Sequence, residues 1–280
     1  MTSLHGRAIV ITGAGSGIGR QLAFECARRG ARLLLADIDQ SGLDETCTEA
    51  RALCAEVESR QVDTGSETSI AALAAAAQDT FGAIDVLINN AGVGLVAPVA
   101  GLDSGDAHWL MNINFWGVVH GCRAFLPQLK SRPEAVIVNI SSIFAMISVP
   151  TQSIYNASKA AVRAFSDALR EELRDTPVRV LCVHPGGIRT NIVNHARVTD
   201  TAMLGMSVAT MRKNFLEKMA PTSAADAALA IVGAIESGRT RLLIGNDARI
   251  ADLLFRLAPD SAAKWINQHL RRIREPEQKP

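Results

Sequence analysis

The sequence predicts an α/β fold, a single doubly wound domain in which helices cover both faces of a parallel sheet of about seven strands. Short apolar runs alternate with longer stretches of helical periodicity along the chain, which is the pattern of repeated strand-helix units. Most of the runs are apolar throughout, as strands covered on both faces should be. No Pro/Gly/Ser-rich linker or internal repeat interrupts the alternation. One domain is therefore the economical interpretation.

The apolar runs predict strands, and the periodic stretches between them predict helices. The first helix carries Ile18, Leu22 and Cys26 on one face. It stops at Gly30, a residue that favours the C-cap of a helix. The strands are predicted over residues 7–11, 32–36, 60–62, 84–88, 135–140, 179–183 and 240–244. The helices are predicted over residues 17–29, 43–58, 69–81, 104–129 and 152–174.

Two segments fall outside the alternation. Residues 191–220 are Met-rich and weakly patterned, as a mobile lid over a binding cleft would be. The C-terminal extension, residues 247–280, follows a main domain of residues 1–246 and begins with an amphipathic helical stretch. We expect its apolar stripe to pack on the lid, the pocket rim or a neighbouring subunit, and Asp252 and Asp260 disfavour membrane attachment. The stripe consists of Leu253, Leu254, Leu257, Trp265 and Ile266.

Composition restricts the classes of partner. The 29 basic and 28 acidic residues nearly cancel, so no strong field attracts nucleic acid or acidic membranes, and a neutral small molecule fits better. The five cysteines form no Cys-x-x-Cys pair and no histidine cluster has metal-ligand spacing, which predicts no metal site and a reducing compartment. The chain enters an apolar strand at once and holds no run of membrane-spanning length, so we expect a cytoplasmic protein.

The only tyrosine of the chain, Tyr155, lies four residues before Lys159. On a helix, residues four apart share one face about 6 Å apart along the axis. The pKa of free tyrosine is about 10, and a nearby cation favours the phenolate. The pair therefore predicts a proton-transfer site, although an isolated Tyr-x-x-x-Lys match is more often an ordinary core pair.

A glycine-rich turn follows the first strand. Thr12-Gly13-Ala14-Gly15-Ser16-Gly17-Ile18-Gly19 directly precedes a helix, where glycines admit a pyrophosphate and the helix N-terminus offers free N–H groups. Asp37 closes the second strand; a carboxylate there accepts hydrogen bonds from the adenosine ribose and repels a 2'-phosphate, which favours NAD over NADP. The alternative is an exposed turn aspartate. The residues at the two positions where a lysine or arginine could bind the 2'-phosphate of NADP are uncharged; they are Ser16 and Ile38.

Six motifs in the same order and spacing resemble the short-chain dehydrogenase/reductase family over about residues 4–245. The resemblance implies a Rossmann-like sheet of strand order 3-2-1-4-5-6-7, in which residues 1–246 form the dinucleotide-binding and catalytic domain. Together with the apolar surfaces of the helices over residues 104–129 and 152–174, it also implies a homotetramer or homodimer. The motifs are Thr12-Gly13-x-x-x-Gly17-x-Gly19, Asn89-Asn90-Ala91-Gly92, Asn114-Phe115-Trp116-Gly117, Ser142, Tyr155-x-x-x-Lys159 and Pro185-Gly186-Gly187-Ile188-Arg189-Thr190.

The resemblance also implies roles for individual residues. Tyr155 would exchange a proton with the substrate oxygen, and Ser142 would hydrogen-bond that oxygen. Lys159 would hold the nicotinamide ribose and lower the tyrosine pKa, while Asn114 would anchor a water in the proton relay. Phe144 would join Ser142 and Tyr155 in contacting the substrate. The implied cofactor-binding set is Gly13, Ser16, Gly17, Ile18, Gly19, Asp37, Asp63, Thr64, Asn90, Ala91, Gly92, Tyr155, Lys159, Pro185, Gly186, Ile188 and Thr190.

Two of these assignments have neighbouring competitors. Ser141 competes with Ser142, but the thirteen-residue separation from Tyr155 favours Ser142. Asn112 competes with Asn114, and the Phe-Trp-Gly that follows selects Asn114. The three histidines nearest in sequence to these motifs are expected to be structural, because the phenol already fills the acid/base role. They are His108, His120 and His184.

The sequence thus predicts an NAD-dependent oxidoreductase acting on a secondary alcohol or ketone. An apolar substrate is indicated by residues 143–147 and by the lid methionines Met203 and Met206. One alternative is an NADP-dependent carbonyl reductase, which Asp37 opposes. The other is a non-catalytic dinucleotide sensor, which would be expected to lose Tyr155 or Lys159.

Overall fold

Seven parallel strands form the central sheet, and their order is β3-β2-β1-β4-β6-β7-β11. The computed structural model describes residues 3–53, 56–199 and 206–274. The strands are β1 Ala8–Thr12, β2 Arg32–Asp37, β3 Val57–Gln61, β4 Val86–Asn89, β5 Leu95–Val96, β6 Ala135–Ile140, β7 Val178–Pro185, β8 Ile188–Arg189, β9 Arg197–Val198, β10 Thr222–Ser223 and β11 Arg241–Ile244. The helices are α1 Gly17–Arg28, α2 Gln40–Arg51, α3 Glu67–Phe81, α4 Ser104–Met111, α5 Gly117–Lys130, α6 Ser153–Glu172, α7 Val208–Asn214, α8 Ala224–Glu236, α9 Asn246–Leu257 and α10 Pro259–Arg274.

Alternate residues of each central strand enter two different hydrophobic cores. On β1, Ile9 and Ile11 pack with α1, α2 and α8, whereas Ala8 and Val10 pack with α3, α5 and α6. Successive side chains of a strand point to opposite faces of the sheet, so both faces are covered. The prediction of one doubly wound sheet with seven strands in this order is confirmed.

Two element boundaries differ from the prediction. Strand β3 begins at Val57 and pairs with Leu33 of β2, so the second helix ends at Arg51 and does not reach residue 58. Strand β3 lies at the edge of the sheet, and most of its side chains are partly or fully exposed. Its sequence is therefore largely polar and lacks the continuous apolar run that marked the other strands.

The predicted helix over residues 104–129 is interrupted by a π-helical turn, Asn112–Trp116. Such turns often occur at functional sites, because they change the direction of a side chain within a helix. Here the turn buries Asn114 completely. The periodicity of the sequence contained no indication of this interruption.

The predicted lid contains regular structure at both ends of its described part. Strand β9 pairs with β5, and Arg197 donates to Asp106 at 2.6 Å. Helix α7 is tied to the segment before it by Arg212, which donates to the Val193 carbonyl at 3.2 Å. Met203 lies outside the described residues.

The C-terminal extension contacts the rest of the chain along one side of α9 and through α10, where Asn267 donates to the Ser148 carbonyl at 3.3 Å. Ala248, Ala251 and Phe255 of α9 contact Ile143 and Met146. Of the three surfaces predicted to cover the extension, α9 lies against residues that follow Ser142. Within this chain Leu253, Leu257 and Trp265 are more than half exposed, so their burial by a neighbouring subunit stays a prediction. The Ile266 side chain lies outside the described residues.

None of the helices in the described part of the chain is long and apolar enough to cross a membrane.

The amino edge of the sheet contains a fully paired buried carboxylate. Asp85 directly precedes β4, and its side chain is 3% exposed. It accepts hydrogen bonds from Arg7 at 2.9 Å, from Arg132 at 2.8 Å and from the Ala8 amide at 2.9 Å. Two guanidinium groups and one amide thus stabilise this carboxylate and link β1, β4 and α5.

Candidate active site

Tyr155, Ser142 and Lys159 meet at the carboxyl edge of the sheet. Ser142 follows β6, and Tyr155 lies in the first turn of α6. The Ser142 hydroxyl is near enough to the Tyr155 phenol to lower the pKa of the phenol. The Lys159 Nζ lies 5.9 Å from the centre of the Tyr155 ring and donates to the Ile140 carbonyl at 3.0 Å. The helical spacing places Tyr155 and Lys159 together, and the end of β6 brings Ser142 to them.

Burial changes the proton affinities of this cluster. Burial raises the pKa of Tyr155 to about 12, against a smaller lowering by Ser142. Burial also lowers the pKa of Lys159 to about 8. For the chain itself, the direction for Tyr155 is opposite to the predicted lowering, because desolvation of the phenolate outweighs the attraction expected from the ammonium. The sequence indicated the neighbouring cation but not the depth of burial.

Ser141 and Ser142 have different hydrogen-bond partners. The Ser141 hydroxyl donates to the Lys159 carbonyl at 2.8 Å, so it fixes α6 against β6. The Ser142 hydroxyl accepts from the Phe144 amide at 3.1 Å, and Ser142 lowers the pKa of Tyr155. The geometry therefore favours Ser142 over Ser141 as the residue facing the reaction centre.

Asn114 connects the loop after β4 to α6. Its side chain accepts from the Val93 amide at 2.8 Å and donates to the Val93 carbonyl at 3.0 Å and to the Ser158 hydroxyl at 3.3 Å. A Cβ added to Gly92 would lie 3.3 Å from the Asn114 Oδ1 and 3.4 Å from the Lys159 Nζ. Asn114 thus lies close to Lys159, whereas its competitor Asn112 is exposed.

The glycine turn is closely packed by its own backbone. A Cβ on Gly13 would lie 2.7 Å from the Ala91 Cα, and one on Gly19 would lie 2.0 Å from the Gly13 carbonyl oxygen. Gly13 and Gly17 also have φ angles of 67° and 56°, a region that favours glycine. Larger residues at these positions would displace the turn from the N-terminus of α1.

The chain offers a fitting cradle for a dinucleotide at this turn. A cavity of about 270 Å³ opens beside it. Within the described residues, the side chain of the helix N-cap, Ser16, bonds to none of the first N–H groups of α1, so these groups can bind a pyrophosphate. The cavity is lined by Gly15, Ser16, Gly17, Arg20, Asp39, Ser41, Gly42, Glu45, Asn191 and His195.

Asp37 is part of the turn as well as a candidate ribose ligand. Its carboxylate accepts from the Gly15 amide at 2.7 Å and from the Asp39 amide at 3.0 Å. Arg20, which the sequence interpretation did not select, braces the same turn by donating to the Gly15 carbonyl at 2.6 Å and to the Gly42 carbonyl at 3.1 Å. No sequence signal distinguished Arg20 from a surface arginine.

The remaining predicted cofactor residues surround this turn from two sides. Asn90 donates to the Thr12 and Gly13 carbonyls at 2.9 and 3.0 Å, so its side chain supports the turn directly. Thr190 reaches the turn from the opposite side, since a Cβ on Gly17 would lie 3.3 Å from its side chain. The structure thus brings together segments that are about 100 residues apart in the chain.

Several further residues of the predicted cofactor-binding set are held in place by contacts with the backbone. Asp63 accepts from the Gly65 amide at 2.9 Å, and Thr64 is buried with its carbonyl against Gly117. Pro185 ends β7, and Gly186 donates to the Ile244 carbonyl at 2.9 Å. Ile188 is buried and begins β8.

His184 is a buried neighbour of Ser142. Burial lowers the pKa of its ring to about 4, against a smaller raising by the Ser142 backbone. The ring is therefore neutral at physiological pH, in keeping with the structural role expected for it. Within the described part of the chain, no group of three or more His, Cys, Asp or Glu side chains could hold a metal ion.

This fold and this group of side chains define the class of doubly wound oxidoreductases that bind a dinucleotide at the carboxyl edge of the sheet. The family model for short chain dehydrogenase matches residues 7–201. The chain belongs to the short-chain dehydrogenase family.

Relatives match over nearly the whole chain. The putative oxidoreductase SadH of Mycobacterium tuberculosis is 41% identical over 268 residues, 95% of this chain and 96% of that protein. The ketoacyl reductase HetN of a Nostoc species is 31% identical over 88% of this chain and 81% of that protein. The crystal structure of a short-chain dehydrogenase/reductase from Burkholderia phymatum in complex with NAD is 32% identical, with a TM-score of 0.82 over 92% of this chain and 96% of that chain.

Proposed function

We propose that the protein transfers a hydride between NAD and a secondary alcohol or ketone that is largely apolar, with Tyr155 as the proton donor and acceptor. The observation that carries this proposal is the grouping of Ser142, Tyr155 and Lys159 at the carboxyl edge of the sheet. The buried Lys159 lies 5.9 Å from the centre of the Tyr155 ring. An oxygen atom of a substrate placed between the Ser142 and Tyr155 hydroxyls could be hydrogen-bonded and protonated by the same pair.

Each polar group then has a separate task. The Ser142 hydroxyl holds the substrate oxygen and polarises a carbonyl. With its pKa raised by burial, Tyr155 is a neutral phenol at physiological pH and can donate a proton directly during ketone reduction. The bound nicotinamide supplies the hydride for reduction and accepts it in alcohol oxidation.

Alcohol oxidation requires Tyr155 to accept a proton. Positive charge nearby favours the phenolate, and the Lys159 ammonium is the closest cation of the cluster. Asn114 holds the Val93 backbone in front of Lys159. We propose that this arrangement guides a water molecule that returns the proton to solvent.

The surroundings of the Tyr155 ring support an apolar substrate. The Phe144 ring stands edge-on to the Tyr155 ring, with centroids 6.3 Å apart. Tyr155 also packs against a cluster of Leu95, Ala97 and Leu110, with Val93, Trp109 and Ile154 at its margin. Such walls exclude water and favour a carbon skeleton with few polar groups.

The preference for NAD is proposed from Asp37. Its carboxylate lies at the end of β2 beside the glycine turn, where it would repel a 2'-phosphate. A relative with 32% identity was crystallised with NAD. We further expect a cytoplasmic homotetramer or homodimer, with residues 1–246 as the catalytic domain and residues 247–280 as its extension.

Two other functions remain as alternatives. An NADP-dependent carbonyl reductase is opposed by Asp37. The relative HetN is described as a ketoacyl reductase. This likeness supports a ketone substrate, whether the cofactor is NAD or NADP. A non-catalytic dinucleotide sensor is opposed by the intact group of Ser142, Tyr155 and Lys159.

A screen of alcohols and ketones tests the proposal. Each is incubated with the protein and either NAD(H) or NADP(H), and turnover is followed by the absorbance of the reduced nicotinamide. We expect turnover of apolar secondary alcohols or ketones, faster with NAD(H). Binding of NAD without turnover of any compound would favour the sensor, and higher kcat/KM with NADP would favour the carbonyl reductase.

A further inference from the structure

We propose that the outer face of α9, with the first turns of α10, binds the surface of an anionic phospholipid membrane. The outer face consists of Arg249, Ile250, Leu253, Arg256 and Leu257. Its three apolar residues follow the spacing of one helix face, and they are 58%, 56% and 74% exposed. Trp265 of α10 adds an indole that is 58% exposed.

Both acidic residues of α9 have partners within the fold, although Asp247 is exposed. Asp252 is only 7% exposed; its carboxylate pairs with Arg241 at 2.7 Å and with Arg256 at 3.1 Å. Asp247 accepts from the Gly187 amide at 2.7 Å. From the sequence alone, Asp252 and Asp260 weighed against membrane attachment. The structure removes the objection for Asp252, because its charge is neutralised by Arg241 and Arg256, whereas Asp260 is exposed.

The charges that border the apolar residues are mainly positive. Arg249, Arg256 and Lys264 are exposed, against the exposed Asp247 and Asp260 in the described part of the helix pair. Over the extension, residues 247–280, the sequence contains seven basic and five acidic residues. The extension therefore has a small net positive charge.

This charge pattern favours an anionic membrane over a second copy of the chain as the partner of the outer face of α9. A second copy of the chain placed face to face would bring the Arg249 side chains of both copies toward the same apolar stripe, and like charges there repel. An anionic membrane accepts leucine, isoleucine and tryptophan at the boundary of its acyl chains and places lipid phosphates beside the arginines. Apolar burial and charge attraction then act together.

The location of the face relates it to the proposed activity. The inner side of α9 packs Ala248, Ala251 and Phe255 against Ile143 and Met146. These residues follow Ser142 directly, so one helix separates the membrane-binding face from the candidate active site. An apolar substrate dissolved in the membrane could reach the pocket without crossing bulk water. This delivery of substrate depends on the proposed function, whereas membrane binding does not.

Cosedimentation of the full-length protein with vesicles tests the binding without any turnover. The vesicles contain phosphatidylcholine alone or phosphatidylcholine and phosphatidylglycerol in equal parts. We expect binding to the mixed vesicles that weakens at high salt and falls about tenfold or more in the double variant Leu253→Glu/Leu257→Glu. The matched control is Leu229→Glu on α8, where the leucine is 53% exposed; it should bind as the wild type does.

Folding and self-association are measured on the same variants. All changed residues are on the surface, so thermal unfolding should be unaltered. Absence of binding to the mixed vesicles, or equal binding to both kinds, would overturn the proposal. So would a wild-type dimer that the double variant converts to monomers while vesicle binding is absent, because a second copy would then cover the face. If the substrate screen alone failed, the proposal of membrane binding would stand and only the delivery of substrate from the membrane would be withdrawn.

Discussion

Two buried charged side chains lie at opposite edges of the same sheet, and they differ in their hydrogen-bond and ion-pair partners. At the amino edge, Asp85 receives two guanidinium groups and a backbone amide. At the carboxyl edge, the Lys159 ammonium donates to the Ile140 carbonyl, and among the described residues no carboxylate pairs with it. Both side chains are about 3% exposed, so the difference is in their partners.

The difference indicates what each charge is for. A buried charge with paired neighbours links elements and stabilises the fold. A buried charge without an opposite charge costs folding free energy and lowers its own proton affinity, as the pKa of about 8 for Lys159 shows. A group of this kind is a candidate for a functional role, and the Tyr155 ring lies 5.9 Å from it.

Strain and unmet hydrogen bonds collect at the same carboxyl edge. Thr151, four residues before Tyr155, has a φ of 70°, the only positive φ of a non-glycine residue in the described ranges. The hydroxyls of Thr151 and Ser153 and the Nδ1 of His184 are buried without a hydrogen-bond partner within the described chain. Backbone strain of this kind persists where a site is held in place by its surroundings.

Tyr155→Phe should give the largest effect. The ring and its packing on Phe144 remain, but the proton carrier is removed, so kcat should fall by about 10³-fold or more. NAD binding, followed by fluorescence titration of NADH, should change little, and the free energy of unfolding should change by less than about 1 kcal/mol. A variant that retained most of its kcat would contradict the catalytic role of Tyr155 and favour the sensor.

Lys159→Met should separate activity from stability. Folding lowers the lysine pKa from its ordinary 10.5 to about 8. The unfolded chain therefore binds the proton more strongly, the cost of burial is full below pH 8, and wild-type stability rises as the pH increases from 8 to 10.5. The variant should be more stable than the wild type at pH 7 by up to about 3 kcal/mol, and it should be inactive.

Denaturant unfolding at several pH values measures this difference. The rise of stability between pH 8 and 10.5 should be absent from Lys159→Met. The control is Lys130→Met at the exposed end of α5, which should leave both the pH dependence and kcat unchanged. A Lys159→Met protein less stable than the wild type at pH 7 would show that the ammonium stabilises the fold.

Asp85→Asn tests the amino edge in the opposite sense. The amide retains the shape of the side chain but leaves Arg7 and Arg132 without their shared anion. Since these arginine side chains are 23% and 36% exposed, solvent compensates part of the loss, and we expect destabilisation of about 2 kcal/mol. The kcat of the folded enzyme should equal that of the wild type; a large fall in kcat would mean that the two edges are coupled.

The sequence predicted the sheet because its central strands are continuous apolar runs. It predicted the pair of Tyr155 and Lys159 because the spacing on a helix is local information, and Ser142 from the family resemblance. It placed the polar edge strand β3 at residues 60–62 instead of Val57–Gln61, and it did not predict the π-helical turn that buries Asn114. It also did not predict the direction of the Tyr155 pKa or the outward orientation of the Leu253 stripe. These depend on burial by segments that are distant in the chain, which local periodicity does not contain.

Asp37→Asn should give the smallest effect and addresses cofactor choice alone. Asp37→Ala would remove both the charge and the acceptor of the Gly15 amide, so a change in its cofactor preference could come from a disturbed turn. The asparagine retains an acceptor for Gly15 and removes the repulsion of a 2'-phosphate. We expect the ratio of kcat/KM for NAD to that for NADP to fall about tenfold, with thermal stability nearly unchanged. Asp37→Ala serves as the control for the turn, and it should weaken the binding of both cofactors. A wild-type enzyme that uses NADP with the higher kcat/KM, or an asparagine variant with an unchanged ratio, would show that Asp37 supports the turn without selecting the cofactor.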